Sequence, residues 1–388
     1  MLDSIKVRQA SFRAALLPDR SECPVRRRIL SCVSLVCAGA LLAGCATGDG
    51  EADATSEVIT SIPSFADVDV SPTPRDLTGE INLALNSEEP EPVTDNPTQK
   101  LPVTLKDNQG TRVTVKTADR ILALDQYGTL AQITYELGLG DALVGRDLST
   151  QFSQAKDLPL VTHNGHELNG EAILDLSPDL IITDTSLGPW DVVEQVRDAG
   201  VPVVVVDSTR NLDNTADLIN QVASALGVRD AGKALAQRTA DEIAAVRAVI
   251  DRKAPTAVQD KLRTVFLYVR GQSGVYYMFG QDSGADALIS ATGAYDVSKE
   301  IGWKGMKPLN DEGLVAAQPD TIVMMTKGLE SAGGVDGLLE RYPSLANTPA
   351  GEHRRFITMP DSQILSFGPR SADVLNALAV AMYAPESL

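Results

Sequence analysis

Two stretches of the chain repeat each other at a distance. Leu168-Asn169-Gly170-Glu171-Ala172-Ile173-Leu174 runs into Ser177-Pro178-Asp179-Leu180-Ile181-Ile182, and Leu309-Asn310-Asp311-Glu312-Gly313-Leu314 runs into Gln318-Pro319-Asp320-Thr321-Ile322-Val323. Each reads Leu-Asn-x-Glu, a helical segment, then Pro-Asp and an apolar strand, and the two copies lie about 141 residues apart. A helix feeding a buried strand is half of a layered α/β unit, so its duplication points to two similar lobes.

The flanking patterns agree. Leu101 to Lys106 and Thr111 to Lys116 alternate around Asn108-Gln109-Gly110 and predict a hairpin. From Ile121 to Leu226, short apolar runs (Ile121–Leu124, Leu180–Thr183, Val203–Val206) alternate with helical patterns, as a parallel sheet requires. The alternation restarts at Val265 and continues to the helical pattern Ser371–Tyr383. Between the halves, Asp230 to Asp251 has no proline and places Leu235, Thr239, Ile243, Val246 and Ile250 on one helical face. The expected fold is α/β: two doubly wound lobes, residues 100–227 and 256–388, joined by a single long helix at 228–255.

The N-terminal region reads differently. Arg26-Arg27-Arg28 precede an apolar run, Ile29 to Ala43, too short to span a membrane comfortably, and then Leu42-Ala43-Gly44-Cys45. This resembles a bacterial lipoprotein signal peptide, residues 1–44, with Cys45 as the lipidated residue. Cys23, Cys32 and Cys37 fall in the segment to be removed, which leaves no pair for a disulfide. Residues 46–98 hold twelve Asp and Glu, one Arg and six prolines, so 45–99 is expected to be an extended, disordered acidic tether. A net charge of −18, with no basic block after residue 30, excludes nucleic acid as a partner.

The two lobes on one helix, with a Glu in each repeat, resemble the helical-backbone (class III) solute-binding proteins of ABC importers, which carry haem, siderophores, cobalamin or metals. In that family an acid on each lobe engages the membrane permease. The resemblance therefore assigns Glu171 and Glu312 to permease docking, against the plainer reading of solvated first-turn glutamates favoured by the helix dipole. The segments Asn164-Gly165-His166-Glu167-Leu168-Asn169, Asp184-Thr185-Ser186-Leu187-Gly188-Pro189-Trp190 and Phe266 to Tyr277 are similar to the haem-binding lipoproteins of bacterial haem-uptake transporters. There the iron lies between a His of the first lobe and a Tyr of the second, which by motif are His166 and Tyr268.

The residues suit that chemistry. Imidazole and phenolate are both axial haem ligands, and phenolate, a hard anion, favours Fe(III). Arg270, two positions after Tyr268, shares its strand face and supplies a cation that assists ionisation of the phenol. Tyr276 and Tyr277 point to opposite faces, so at most one of them lines the cleft, and Tyr277 is the candidate. Trp190 stands after a strand, where open α/β sheets bind ligands, and is expected as a wall of the site; Arg146 is a candidate for a propionate. His163 and His353 read as surface or satisfied histidines, and Met324 and Met325 as core.

The resemblance implies Fe(III) haem b as transported ligand, not an enzyme cofactor. It also implies the ABC permease with its ATPase, and haem or a haem-donor protein, as partners. The location is extracytoplasmic, at the outer face of the cell membrane, held by the Cys45 lipid. The alternatives are a ferric-siderophore or cobalamin binder of the same fold and a secreted α/β enzyme. No Walker sequence, G-x-G-x-x-G or His-Glu-x-x-His supports an enzyme.

Overall fold

In a computed structural model, residues 57–86 and 90–388 are described. The signal peptide and Cys45 fall outside these residues. Among the described residues no helix is long and apolar enough to cross a membrane.

In chain order the elements begin with strands β1 (Val58–Ile59), β2 (Glu80–Leu83), β3 (Val103–Lys106), β4 (Arg112–Val115) and β5 (Ile121–Leu124). Helix α1 (Thr129–Thr134), β6 (Thr162–His163), β7 (Glu167–Leu168), α2 (Gly170–Asp175), β8 (Leu180–Thr183), α3 (Trp190–Asp198), β9 (Val203–Val205) and α4 (Thr215–Ala225) complete the first lobe. Helix α5 (Arg229–Lys253) leads out of it. The second lobe contains β10 (Arg263–Arg270), β11 (Val275–Phe279), α6 (Ala285–Ala291), β12 (Tyr295–Asp296), β13 (Met306–Pro308), α7 (Asp311–Ala317) and β14 (Thr321–Met325). It ends with α8 (Thr326–Ser331), α9 (Gly334–Arg341), α10 (Pro349–Glu352), β15 (Phe356–Met359), α11 (Asp361–Ile364) and α12 (Ser371–Tyr383).

The first lobe is built on a parallel sheet in the order β5-β8-β9, extended by a bridge from Ile121 to Leu143. Its strands are buried along their whole length, as parallel strands covered on both faces must be. The second lobe carries a mixed sheet ordered β1-β2-β15-β14-β10-β11-β13, with β12 also paired to β10. Its centre, β10-β14-β15, is parallel, while the β10-β11 hairpin turns over Gly271–Gly274 and is antiparallel.

Helix α5 belongs to both cores. Leu235 and Ala236 lie in the apolar cluster of the first lobe, and Ile243 and Ile250 in that of the second, so opposite ends of one apolar stripe seal two different domains. Gly232 is needed where α5 crosses α4, because a Cβ there would come within 2.3 Å of the Ala223 methyl. The lobes also meet directly: Thr129 Oγ1 donates to the carbonyl of Ser366 at 2.6 Å, and Thr215 Oγ1 to that of Phe367 at 3.1 Å.

One sequence expectation is corrected. Residues 57–86 of the acidic segment are not a tether but part of the second lobe. β2 pairs in parallel with β15, and Phe65, Val68, Ile81, Leu83 and Leu85 enter the core of that lobe. The acidic composition hid an amphipathic segment: in Glu80-Ile81-Asn82-Leu83 every second side chain is buried. From there the chain passes to the first lobe, where Val93 N donates to the Glu136 carbonyl, so a second crossing accompanies α5.

The repeat is visible in atomic detail. Asn169 and Asn310 cap α2 and α7, their side chains accepting from Ala172 N and Gly313 N. Asp179 and Asp320 then accept from the backbone N–H of Arg120, just before β5, and of Arg263, the first residue of β10. Those two arginines donate back to carbonyls at the ends of α2 and α7. The sequence repeat is therefore a capping and strand-anchoring device used twice.

Candidate functional site

Strand ends of the two lobes converge. In the first lobe Asp125 follows β5, Asp184 follows β8 and Arg210 lies beyond β9, all at the carboxyl edge of the sheet where open α/β folds bind ligands. Arg210 Nη2 reaches Asp125 at 3.2 Å and Asp184 at 2.5 Å, and its guanidinium lies 5.5 Å from the centre of the Tyr127 ring. Asp147, fully buried, accepts from the N–H groups of Asp125, Ser149 and Thr150. Burial, and after it the charge of Asp125, raises the Asp147 carboxyl above the usual aspartate range. No local sequence pattern marks this network, because its members come from four separate loops.

His166 projects from the tight β6-β7 hairpin. The loop carries Asn164 and Gly165 at φ 45° and 92°, conformations that asparagine and glycine tolerate. The hairpin is fixed to the loop after β8 by the hydrogen bond from Leu168 N to the Gly188 carbonyl. Beside it is a cavity of about 640 Å³ lined by His163, His166, Glu167, Leu168, Ser186, Gly188, Pro189 and Val192. The His166 ring is half-buried, and its Nδ1 is shielded from solvent without a hydrogen-bond partner. Its pKa is lowered, first by burial and then by the positive charge of Arg270, while Asp361 and Asp125 pull the other way. The net shift favours the neutral imidazole, the form that has a nitrogen lone pair to offer. Arg270 and Asp361 belong to the second lobe, so charges of that lobe reach His166, while the cavity beside it is lined by first-lobe residues.

The second lobe's contribution is one face of the β10-β11 hairpin. Tyr268 pairs with Tyr277 in register, and Phe266 with Phe279, so these four rings share a face. Tyr268 stacks on Phe279 with centroids 5.7 Å apart and planes 18° from parallel. Arg270, on that face as period-two alternation requires, sits with its guanidinium 4.7 Å from the Tyr268 ring centre and donates to Asp361 Oδ2 at 2.7 Å. Tyr276 points to the other face, against Tyr342. Phe279 was within reach of sequence reasoning, since a four-residue turn fixes the hairpin register. Asp361, 91 residues beyond Arg270, was not.

Other expected residues fall elsewhere. Trp190 begins α3, and its indole N–H donates to Glu194 on the same helix at 3.0 Å while Arg197 lies over its ring. Its neighbours Pro189 and Val192 line the His166 cavity, and Trp190 itself is not in that lining. Arg146 is half-buried and donates through Nη1 to the Asp147 carbonyl. His163 pairs with Glu167 at the surface, and Met324 and Met325 are core residues. Glu171 and Glu312 occupy the second positions of the two Asn-capped helices and are exposed.

Two α/β lobes sharing one long helix are the architecture of a solute-binding protein. The family described as periplasmic binding protein matches residues 126–363, more than half of the chain. The chain belongs to this family. The solved heme binding protein HmuT is 39% identical, with a match covering 80% of this chain and 99% of that one at a TM-score of 0.75. HmuT has also been solved with a histidine, a tyrosine or an arginine replaced by alanine, the last two being two positions apart, the spacing of Tyr268 and Arg270. The periplasmic heme-binding protein RhuT from Roseiflexus sp. RS-1 is 37% identical, covering 70% of this chain and all of that one, at a TM-score of 0.63. The ABC transporter substrate-binding lipoprotein YvrC of Bacillus subtilis is 26% identical over 291 residues, 74% of this chain and 87% of YvrC.

Proposed function

We propose that this protein is the extracytoplasmic haem-binding component of an ABC importer. It captures Fe(III) haem b between its lobes and hands it to a permease driven by an ATPase. His166 and Tyr268 are the axial ligands in this reading. Arg270 and Tyr277 border the macrocycle on the second-lobe side, and Arg146 is the first-lobe candidate for a propionate. The observation that supports the reading is a half-buried His166 whose Nδ1 has no partner, together with a second-lobe tyrosine, Tyr268, stacked on Phe279 with a cation at its face. Neutral imidazole and an oxygen donor complement ferric porphyrin, and the aromatic face of Tyr268, Tyr277 and Phe279 suits its plane.

Permease docking is assigned to Glu171 and Glu312, whose equivalent N-terminal turns present two like charges from two lobes. Anchoring is assigned to the Cys45 lipid at the outer face of the cell membrane, with a haem-donor protein or free hemin as source. Titration with hemin, followed by absorbance, tests the assignment. A saturable Soret shift at one hemin per chain, lost in Tyr268→Ala and weakened in His166→Ala, is expected. A wild-type protein that leaves the hemin spectrum unchanged, or a Tyr268→Ala variant that binds normally, refutes it.

A further inference from the structure

The hairpin that presents His166 has little of its own to hold it. It consists of two residue pairs, Thr162 with Leu168 and His163 with Glu167, and a two-stranded ribbon that short is not stable by itself. A ligating imidazole is ordinarily oriented by a hydrogen bond to its second nitrogen, but the Nδ1 of His166 is buried without a partner. The position of the ring therefore depends on the backbone that carries it. Besides the burial of Leu168, that backbone hangs on the loop after β8: Leu168 N donates to the Gly188 carbonyl at 2.6 Å, and Glu167 and Gly188 form a parallel bridge.

One side chain fixes the loop from within. Asp184 Oδ1 accepts from Ser186 N at 2.8 Å and from Ser186 Oγ at 2.5 Å, while Ser186 Oγ accepts from Gln126 N at 2.9 Å. Asp184 Oδ2 accepts from Arg210 Nη2 at 2.5 Å. Arg210 is a fixed post. Its Nη1 donates to the Asp207 carbonyl at 2.6 Å, and its own carbonyl lies so near Gly284 of the second lobe that a Cβ there would come within 2.8 Å. Ser186 in turn lines the same cavity as His166. A chain of contacts thus runs from the lobe interface through Arg210, Asp184 and Ser186 to the wall beside the histidine.

Charge balance alone does not call for Asp184. Arg210 is already matched by Asp125, so Asp184 is a second carboxylate on one buried guanidinium, and Asp147 adds a third behind them. The Asp125 and Asp184 side chains are wholly buried, where an excess negative charge costs stability. What a carboxylate offers that an amide cannot is an acceptor on each oxygen, one for the arginine and one for Ser186.

We propose that Asp184 is the positioning residue for His166: by clamping Ser186 to Arg210 it holds the β8-α3 loop, and through Gly188 the hairpin, where the imidazole meets the iron. A ligating group has to be held to within about 0.5 Å of its working position, which two residue pairs cannot do unaided. The proposal rests on the haem reading above and deepens it by naming what fixes the first-lobe ligand.

The test uses the full protein loaded with hemin, as wild type, H166A, D184N, S186A, S186T and the H166A/D184N double variant. Electron paramagnetic resonance and resonance Raman spectra separate iron bound by tyrosinate alone from iron bound by histidine as well. D184N is expected to keep one hemin on Tyr268 while the equilibrium for histidine ligation falls about tenfold, the scale of one buried hydrogen bond to a charged group. S186A, which removes no charge, is expected to move the same way and decides alone if D184N does not fold. S186T keeps the hydroxyl and is expected to match wild type. In the H166A background D184N is expected to change the spectrum no further, because its action passes through His166. Histidine ligation at the wild-type level in D184N and S186A, whatever their melting temperatures, overturns the proposal and leaves the haem reading intact. Failure of the wild type to bind hemin, or an H166A spectrum equal to that of wild type, overturns both.

Discussion

Phe65 is the sharpest probe of the fold, because composition places it in a tether and the structure places it in a core. Its ring is 1% exposed and packs 6.0 Å from the Tyr383 ring at 44°. Lys253, the last residue of α5, lies 5.6 Å above the ring and donates to the carbonyls of Phe65, Ala66 and Val68 at 2.8, 2.6 and 2.8 Å. The segment thus caps the inter-lobe helix as well as covering the core. Phe65→Ala removes a buried ring where rigid neighbours on α12 cannot close the gap, a loss of about 3–5 kcal/mol. With a urea m-value of about 3 kcal/mol/M, near the upper end for small domains, the midpoint falls by about 1 M or more. Urea unfolding followed by far-ultraviolet circular dichroism measures it. An unchanged midpoint would mean that residues 57–86 do not pack as described and would restore the tether reading.

Other outcomes follow from the same geometry. Thr129→Val with Thr215→Val leaves the Ser366 and Phe367 carbonyls without their partners, at about 1–3 kcal/mol each; amide exchange at the interface is expected to rise, and unchanged protection would refute the contact. Asp147 has a native pKa pushed up to about 7. In the window from the ordinary aspartate value near 4 up to about 7 the native state holds more protons than the unfolded chain, so this group's contribution to stability falls as pH rises. Asp147→Asn is therefore expected to flatten the fall in urea midpoint between pH 5 and pH 8, and an unaltered slope would count against it. Glu171→Ala and Glu312→Ala are expected to leave hemin titration unchanged and to abolish uptake together, whereas full uptake by the double variant would remove the docking assignment. With two crossings and a pinned interface, small-angle scattering of empty and loaded protein is expected to superimpose; closure by tens of degrees would contradict that.

What was legible in the sequence depended on local rules. Asn169 and Asn310 were readable because a helix start favours a residue that caps it, and Pro-Asp marked the strand that follows. Tyr268 and Arg270 share a face by period alone, and Gly165 marked the tight loop that presents His166. What stayed hidden was long-range: Asp361 finds Arg270 across a strand, Arg210 gathers aspartates from separate loops, and Phe65 finds a core built by residues three hundred positions later. Trp190's partners, Glu194 and Arg197, lie one and two turns along its own helix, contacts that a position after a strand does not announce.

The most direct test of the central claim is a crystal structure of the hemin-loaded protein with anomalous data collected at the iron edge. The account predicts a single iron peak between the His166 imidazole and the Tyr268 hydroxyl, with the porphyrin plane spanning the two lobes. An iron peak away from both residues, or hemin confined to the outer surface of one lobe, would contradict it.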